Sequence, residues 1–297
     1  MTVFERGWLS SNNILFVGPT RSALIDSGYW THSQQTLRLV QAALGEQTLD
    51  LLINTHLHSD HCGGNEQLQV RYPALRTLIP PGQADAVRSW DTVALTYVPT
   101  GQGCPRFSID DVLNPGTTLL LGDRQWQVHA APGHDPHSVI LYEPQSRVLV
   151  SADALWENGF GVVFPELEGD DGFDGVASTL DLIESLAPHT IVPGHGPVFH
   201  DLAAALNVAR SRLAAFRASP RKHAGHAAKV LLKFKLLELQ EMSFESLESW
   251  GEKTPYFRLV FARYFGETGF SNWMRALASG LVHSGAAVIS GDRILNN

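Results

Sequence analysis

Lysine is missing from the first two thirds of this 297-residue chain, and cysteine is scarce throughout. Residues 1–204 contain 9 Arg, no Lys and 23 acidic residues, which gives a net charge of −14. Two cysteines, Cys62 and Cys104, are too few for the disulfide framework that holds many small secreted domains together. We therefore expect an ordinary globular protein in a reducing cytoplasm.

The chain also lacks the segments that mark membrane proteins and nucleotide-binding loops. No run approaches the roughly 18 consecutive apolar residues of a membrane-spanning helix, and the first six residues contain no apolar signal core. A Gly-rich phosphate loop and an internal repeat are both absent. These absences argue against a membrane protein and leave a small-molecule substrate as the expectation.

The charge balance changes abruptly near residue 205. Residues 205–297 hold 13 basic and 7 acidic residues, including all five lysines, which gives a net charge of +6. A shift of this size predicts a boundary between a first domain, residues 1–204, and a basic helical domain, residues 205–297. The basic tail either docks on the acidic first domain or binds an anionic partner such as a nucleic acid, and we favour docking.

Apolar periodicity predicts mixed strands and helices in the first domain. We predict strands at 13–17, 22–26, 49–54 and 190–192, helices at 34–44 and 173–186, and hairpins that pair 118–121 with 125–130 and 138–142 with 148–150. In the tail we predict helices at 200–217, 222–239, 255–264 and 271–284, followed by a hairpin over 286–295. Helices closed by a hairpin are typical of a winged-helix-like module.

One short segment concentrates side chains that bind metals. His56, His58, Asp60 and His61 form a His-x-His-x-Asp-His motif directly after the strand predicted at 49–54. Residues two apart on a helix point about 200° from each other, so we expect a turn that folds all four side chains around a cation. Imidazoles with a carboxylate suit zinc first, with iron and manganese as alternatives.

Three further turns present residues of the same kind. Each follows a predicted strand, and they carry His134, Asp153 and His195 beside small residues or Gly and Pro. If all the turns share one edge of the sheets, seven ligands become available: His56, His58, Asp60, His61, His134, Asp153 and His195. Seven ligands are too many for one zinc and suit two. This set predicts a metal-dependent hydrolase.

Taken in order with Asp26, these motifs resemble those of the metallo-β-lactamase superfamily over about residues 10–200. The resemblance implies an α/β fold, an αββα sandwich with the metals at one edge of two sheets. It also implies that Asp26 supports the metal loop without being a ligand. One metal would take His56, His58 and His134, and the other would take Asp60, His61 and His195, with Asp153 bridging both.

The chemistry that follows is hydrolysis by a hydroxide that bridges two zinc ions. Asp60, beside this nucleophile, is expected to hold it and to pass a proton to the leaving group. Within the superfamily the motifs are most similar to the glyoxalase II-like branch, including the aromatic Trp156 three residues after Asp153. This similarity favours a small thioester or ester as the substrate.

Several alternatives stay open at the level of sequence. The glyoxalase II-like branch commonly has Gly-His-Thr-x-Gly-His, whereas residues 133–138 here are Gly-His-Asp-Pro-His-Ser, so glutathione is not fixed as the carrier. A lactonase and a phosphodiesterase or nuclease would use the same ligands, and the +6 tail favours the nuclease among these. A mononuclear iron oxygenase and a non-catalytic binding module complete the set.

Overall fold

Two β-sheets lie at the centre of the computed structural model, which describes residues 1–19 and 21–297. The first sheet contains, in spatial order, β1 (Thr2–Phe4), β2 (Asn13–Val17), β3 (Ser22–Ile25), β4 (Leu51–Ile53), β5 (Arg76–Ile79) and β6 (Asp111–Val112). The second contains β7 (Thr118–Leu121), β8 (Arg124–Ala130), β9 (Val139–Glu143), β10 (Val148–Ala152) and β11 (Thr190–Pro193). The strands predicted from alternation and apolar runs are confirmed, although β1 and β6 were not predicted.

Helices flank the two sheets and form most of the tail. In chain order they are α1 (Ser33–Leu44), α2 (Ser59–Cys62), α3 (Asn65–Arg71), α4 (Ala84–Ser89), α5 (Tyr97–Thr100), α6 (Phe164–Glu168), α7 (Gly172–Leu186), α8 (Leu202–Ala218), α9 (Pro220–Leu239), α10 (Phe244–Lys253), α11 (Pro255–Tyr264) and α12 (Phe270–His283). In the described part of the chain, none of these helices has the length and apolar character needed to cross a membrane.

The central strands of the two sheets are buried on both faces, which explains their continuous apolar runs, whereas β7 and β8 are partly exposed. In β2, Ile14 and Phe16 point into the core between the sheets, and Phe16 packs edge-on against Trp126 with ring centroids 5.2 Å apart. The intervening Leu15 belongs to the core between the first sheet and α1. On the other side, α7 and α8 cover the second sheet. This layering confirms the predicted αββα sandwich.

Strand direction determines where the candidate ligands lie. β3, β4 and β5 run parallel in the first sheet, and β10 and β11 run parallel in the second. Because the carboxyl ends of parallel strands meet at one edge of a sheet, the segments that follow them leave on the same side. His56 follows β4, Asp153 follows β10 and His195 follows β11. The topology thus gathers residues that are far apart in the sequence.

Helices α9 to α12 form most of a further hydrophobic core, which Val162 and Leu167 of the first part of the chain join. A small antiparallel sheet completes it, with β12 (Glu241–Ser243), β14 (Arg293–Asn296) and β13 (Ala287–Ser290) in that spatial order. The predicted helices and terminal hairpin are confirmed, and α10 and β12 were not predicted. The winged-helix-like description of this region stays a prediction.

Helix α8 crosses the boundary that was predicted at residue 204. It buries Ala205, Leu206 and Phe216 in the core on the outer face of the second sheet. The tail core begins only after Ser219, whose side chain caps α9 by accepting a hydrogen bond from the backbone N–H of Lys222. The division into 1–204 and 205–297 therefore stays a prediction, and the change of core falls near Ser219.

Basic residues at the start of the tail face acidic residues of α7. Arg210 Nη2 lies 2.8 Å from Asp181 Oδ1 and 2.7 Å from Glu184 Oε2, and Arg217 pairs with Asp174. Exposed pairs of this kind contribute only about 0–1 kcal/mol each, so they add little stability. They join α8 to α7 on the outer face of the second sheet, so docking of the segment after Ser219 stays a prediction.

We predict that truncating Phe216 destabilises the protein far more than truncating a neighbour on the same helix. The Phe216 ring packs against Phe173 and His223, with its side chain 5% exposed, so Phe216→Ala leaves a cavity worth about 3–5 kcal/mol in the free energy of unfolding. Val208 is 41% exposed, so Val208→Ala should change it by less than about 0.5 kcal/mol. Urea denaturation of both variants measures the difference, and similar values would contradict the prediction.

Candidate metal centre

The His-x-His-x-Asp-His motif begins shortly beyond the end of β4. His56 and His58 lie in extended or irregular backbone, whereas Asp60 and His61 belong to the one-turn helix α2. The expectation of a continuous turn is therefore corrected: the motif is a loop that ends in a helical turn. His58 has extended backbone (φ −65°, ψ 147°), which redirects the chain just before that helix starts.

The structure brings all seven predicted ligand residues together in two groups. Within each group the ligand atoms lie within 4.8 Å of one another. The first group is His56, His58 and His134, and the second is Asp60, His61, Asp153 and His195. All of these side chains are buried. A cluster of this size and burial is the arrangement that the turns predicted.

Asp153 lies between the two groups. Its Oδ2 atom is 3.4 Å from His134 Nε2 in the first group and 3.8 Å from His195 Nε2 in the second. Its Oδ1 atom is 3.5 Å from His61 Nε2. Only glycine fits beside this carboxylate, because a Cβ at Gly194 would collide with Asp153 Oδ1. The position suits a carboxylate shared by two cations.

Another carboxylate, Asp26, holds the loop from below. Its Oδ1 atom accepts a hydrogen bond from the Thr55 backbone N–H at 2.9 Å, and its Oδ2 atom accepts one from the Thr55 hydroxyl at 2.8 Å. His61 Nδ1 lies 2.8 Å from the same Oδ2, which turns His61 Nε2 toward the second group. Asp26 has φ +57°, a conformation that Asp tolerates better than most residues.

Three imidazole nitrogens in these groups need a partner. Among the described residues, Nε2 of His56, Nε2 of His61 and Nδ1 of His195 are buried without any hydrogen-bond partner. A buried unpaired polar atom costs roughly 1–3 kcal/mol. Nε2 of His56 and Nε2 of His61 therefore fit atoms that bind a cation, whereas His195 directs its Nε2 atom toward Asp60 and Asp153. Imidazoles with one or two carboxylates suit a borderline divalent cation such as zinc. The residues therefore fit metal ions, and we propose the seven side chains as ligands of two.

Burial and neighbouring charges set the protonation of these groups. Burial lowers the pKa of His58 to about 4 and the pKa of His56 well below its ordinary value, helped by the adjacent imidazoles. Burial also disfavours charge on His61, but Asp153 and other carboxylates raise its pKa well above the ordinary value. Burial opposes ionisation of Asp153, yet His195 and His61 hold its pKa well below normal. His56, His58 and Asp153 therefore favour the deprotonated form that binds a cation, whereas His61 would lose its proton when a cation binds.

Two tryptophans border the second group. Trp8 stacks on His195 with ring centroids 5.4 Å apart and planes 8° apart, and it is 54% exposed. Trp156 lies edge-on to Trp8 at 5.3 Å and donates from Nε1 to Asp153 Oδ1 at 3.2 Å. Trp8 was not predicted at this site, because no spacing pattern in the sequence connects it with His195.

A cavity of about 490 Å³ opens beside the first group. His58 and His134 line one end of it, and Phe164 and Tyr256 form an aromatic wall with planes 30° apart. The volume suits one arm of a small-molecule substrate. Tyr256 belongs to the tail, and Val93, Ala94 and Thr96, which precede α5, add to the lining.

The cavity is acidic. Four carboxylate side chains line it, namely Asp135, Glu168, Asp170 and Asp171. Of the lining residues, all within the described part of the chain, none is Lys or Arg. Glu168 Oε1 accepts a hydrogen bond from the Tyr256 hydroxyl at 2.7 Å, so one carboxylate is fixed against the aromatic wall. An arm with several negative charges is disfavoured in this cavity.

Comparison with known proteins places this site in a family context. The sequence profile of the metallo-beta-lactamase superfamily matches residues 6–195. A hydroxyacylglutathione hydrolase from Synechococcus sp. (strain JA-3-3Ab) is 35% identical over 41% of this chain and 41% of its own length. The acyl-coenzyme A thioesterase MBLAC2 of Gallus gallus is 27% identical over 66% of this chain and 76% of its own length.

The same architecture occurs in solved structures. The metallo-beta-lactamase family protein TTHA1429 from Thermus thermophilus aligns with a TM-score of 0.57 and 19% identity, over 97% of this chain and 94% of that one. At this identity the likeness concerns the fold, and it extends through the tail. Of the curated relatives, the Synechococcus enzyme matches this chain over less than half of its own length.

We predict that Asp26→Asn weakens metal binding by about 10–100-fold, because removing the charge loosens the His61 imidazole that it orients. The side chain keeps its size and tolerates the same backbone conformation. Asp123 is a matched control, since it also has positive φ (65°) but is exposed, and Asp123→Asn should leave metal affinity unchanged. Competition with a chelator dye measures both variants, and equal affinities for Asp26→Asn and the parent protein would refute the prediction.

Proposed function

Because the chain belongs to the metallo-beta-lactamase superfamily, we propose that it is a dinuclear metal-dependent hydrolase that cleaves a small thioester or ester. The observation that carries the proposal is the pair of buried ligand groups with Asp153 between them. Relatives named as an acyl-coenzyme A thioesterase and a hydroxyacylglutathione hydrolase support the choice of thioester among the possible bonds.

The residues divide the work as follows. Bound metal ions supply a Lewis acid for the carbonyl oxygen and lower the pKa of an attacking water. Asp60 Oδ2 lies 3.0 Å from His195 Nε2 and 3.8 Å from His61 Nε2, so the carboxylate is held inside the second group. From there it accepts a proton from the water and returns it to the departing sulfur or oxygen. Burial keeps bulk solvent away and strengthens these interactions.

A substrate with two arms fits the surroundings of the site. The cavity lies beside His58 and His134, whereas the exposed face of Trp8 lies beside His195. Asp153 lies between these two places, next to His134 on one side and His195 on the other. We place the scissile bond near Asp153, with the carrier arm in the cavity and the acyl arm against Trp8.

The nuclease alternative has less support. It depends on the +6 charge of residues 205–297, and Arg210 and Arg217 in that region are paired with acidic residues of α7. The acidic cavity beside the ligands also disfavours a phosphodiester chain. Lactonase activity is the better-supported alternative. A lactone ring carries no charge, so it needs no free basic surface and is not repelled by the acidic cavity.

We predict that thioester hydrolysis by this protein depends on the first ligand group. Zinc-loaded protein should release free thiol from thioesters, and His134→Ala should lower kcat/KM at least about 100-fold because it removes a proposed ligand. His137 also lines the cavity but lies outside both ligand groups, so His137→Ala should retain activity within about tenfold. A thiol-reactive dye assay over a panel of thioesters measures this, with iron- and manganese-loaded protein as parallel samples.

The outcomes of that assay separate the candidates. Thiol release lost in His134→Ala and kept in His137→Ala supports the thioesterase. Lactone or phosphodiester hydrolysis with the same dependence on His134, in the absence of thiol release, contradicts it. If the His134→Ala variant released thiol as fast as the parent protein, the proposed metal site would have no part in the reaction.

The second prediction concerns charge on the substrate. An acyl-pantetheine and the matching acyl-coenzyme A present the same acyl group and thiol, but coenzyme A adds several phosphate charges. The four carboxylates of the cavity should make kcat/KM about tenfold higher for the pantetheine ester at low salt, and the ratio should shrink as salt screens the charges. Asp171→Asn should reduce the ratio, whereas Glu46→Gln, an exposed change outside the cavity lining, should not. A preference for the coenzyme A ester would contradict the placement of the carrier arm.

A further inference from the structure

The two cysteines of the chain meet beside the metal centre although 42 positions separate them. Both are free thiols, and their Sγ atoms are 3.9 Å apart. The Tyr97 hydroxyl lies 3.1 Å from Cys62 Sγ and completes a small polar group inside an apolar cluster. The hydrolysis proposed above uses none of these three side chains, so their contact needs a separate explanation.

The two thiols differ in mobility and access. Cys62 is fully buried at the end of α2, pairs with Gly28 through a β-bridge, and directs its Sγ toward the backbone carbonyls of Leu57 and His58 at 3.4 and 3.3 Å. Cys104 is partly exposed and lies in an irregular segment after α5. A dissolved oxidant therefore reaches Cys104 first, and Cys104 is the residue that can move.

We propose that Cys62 and Cys104 form a reversible disulfide when the protein meets hydrogen peroxide. Peroxide converts the Cys104 thiol to a sulfenic acid and releases one water. The Cys62 sulfur then displaces the hydroxyl group, which leaves as a second water, and the S–S bond forms. Two thiols thus lose two electrons and two protons, and one peroxide becomes two waters. A dithiol reductant reverses the step by thiol–disulfide exchange.

The disulfide would connect helix α2 with the irregular segment that follows α5. Cys62 ends the helix that carries Asp60 and His61, and the segment containing Cys104 already touches that helix where the Ser59 hydroxyl donates to Gln102 Oε1 at 2.5 Å. The sulfurs must close from 3.9 Å to about 2.05 Å, a shift that an irregular segment can absorb. Oxidation therefore fastens the segment after α5 onto the metal-binding turn.

Peptide mapping of the full-length, metal-loaded protein tests the proposal directly. After treatment with peroxide and alkylation of remaining thiols, non-reducing mass spectrometry should find one linked peptide pair that contains Cys62 and Cys104, and dithiothreitol should remove it. The cross-link should raise Tm by roughly 5 °C, because it closes a loop of about 40 residues in the unfolded chain.

Two variants keep the test decisive. Cys104→Ser should abolish both the linked peptide and the rise in Tm. Cys62→Ser should leave Cys104 as a sulfenic acid that dimedone traps, and this adduct is expected even if the variant is less stable. Peroxide that leaves both thiols reduced, that drives Cys104 to the sulfinic acid without a linked peptide, or that links two molecules would overturn the proposal. These are mass measurements, so they stand apart from any failure of the hydrolase assignment.

Discussion

Burial of charge at one edge of two sheets is the constraint on which the rest of the structure depends. Asp26, Asp60 and Asp153 are each at most 7% exposed, and removing an isolated carboxylate from water is costly. Imidazoles from three parts of the chain surround these carboxylates, and their ring nitrogens lie close to the carboxylate oxygens. Parallel pairing of β3 with β4 and of β10 with β11 brings them there. The fold thus supplies the contacts that make such a buried site tolerable.

The side chains proposed to bind the metals and those proposed to select the substrate come from different parts of the chain. The ligand groups come from turns of the sandwich, whereas the cavity wall includes Tyr256 from α11, stacked on Phe164. Helix α9 makes a second contact with the first part, where Phe234 packs edge-on against Tyr29 at 5.9 Å. The tail therefore helps to enclose the cavity proposed for the substrate, and its basic character does not carry over to that cavity.

The elements that were missed show where local patterns lose information. Helix α10 holds four charged residues in ten, and its buried face shows only Phe244, Leu247 and Gly251 at helical spacing. Ser243 before it accepts a hydrogen bond from the Ser246 backbone N–H, and this capping signal could have identified the helix. No local sequence pattern marks Trp8, because its partner His195 lies near the other end of the first domain.

The sequence by itself predicted most of the strands and the seven candidate ligands, because these depend on local order: apolar runs for strands, Gly and Pro for turns, and imidazole with carboxylate for a divalent cation. The sandwich was implied by the resemblance of the ordered motifs to the metallo-β-lactamase superfamily. The resemblance also implied the two ligand groups with Asp153 between them, and the structure brings the side chains together in that arrangement. Only the tertiary structure decided that Cys62 meets Cys104. It also decided the charge of the cavity, whose lining comes from both parts of the chain. Contacts between residues that are distant in sequence follow from strand direction and packing, and neither is written in the neighbours of a single residue.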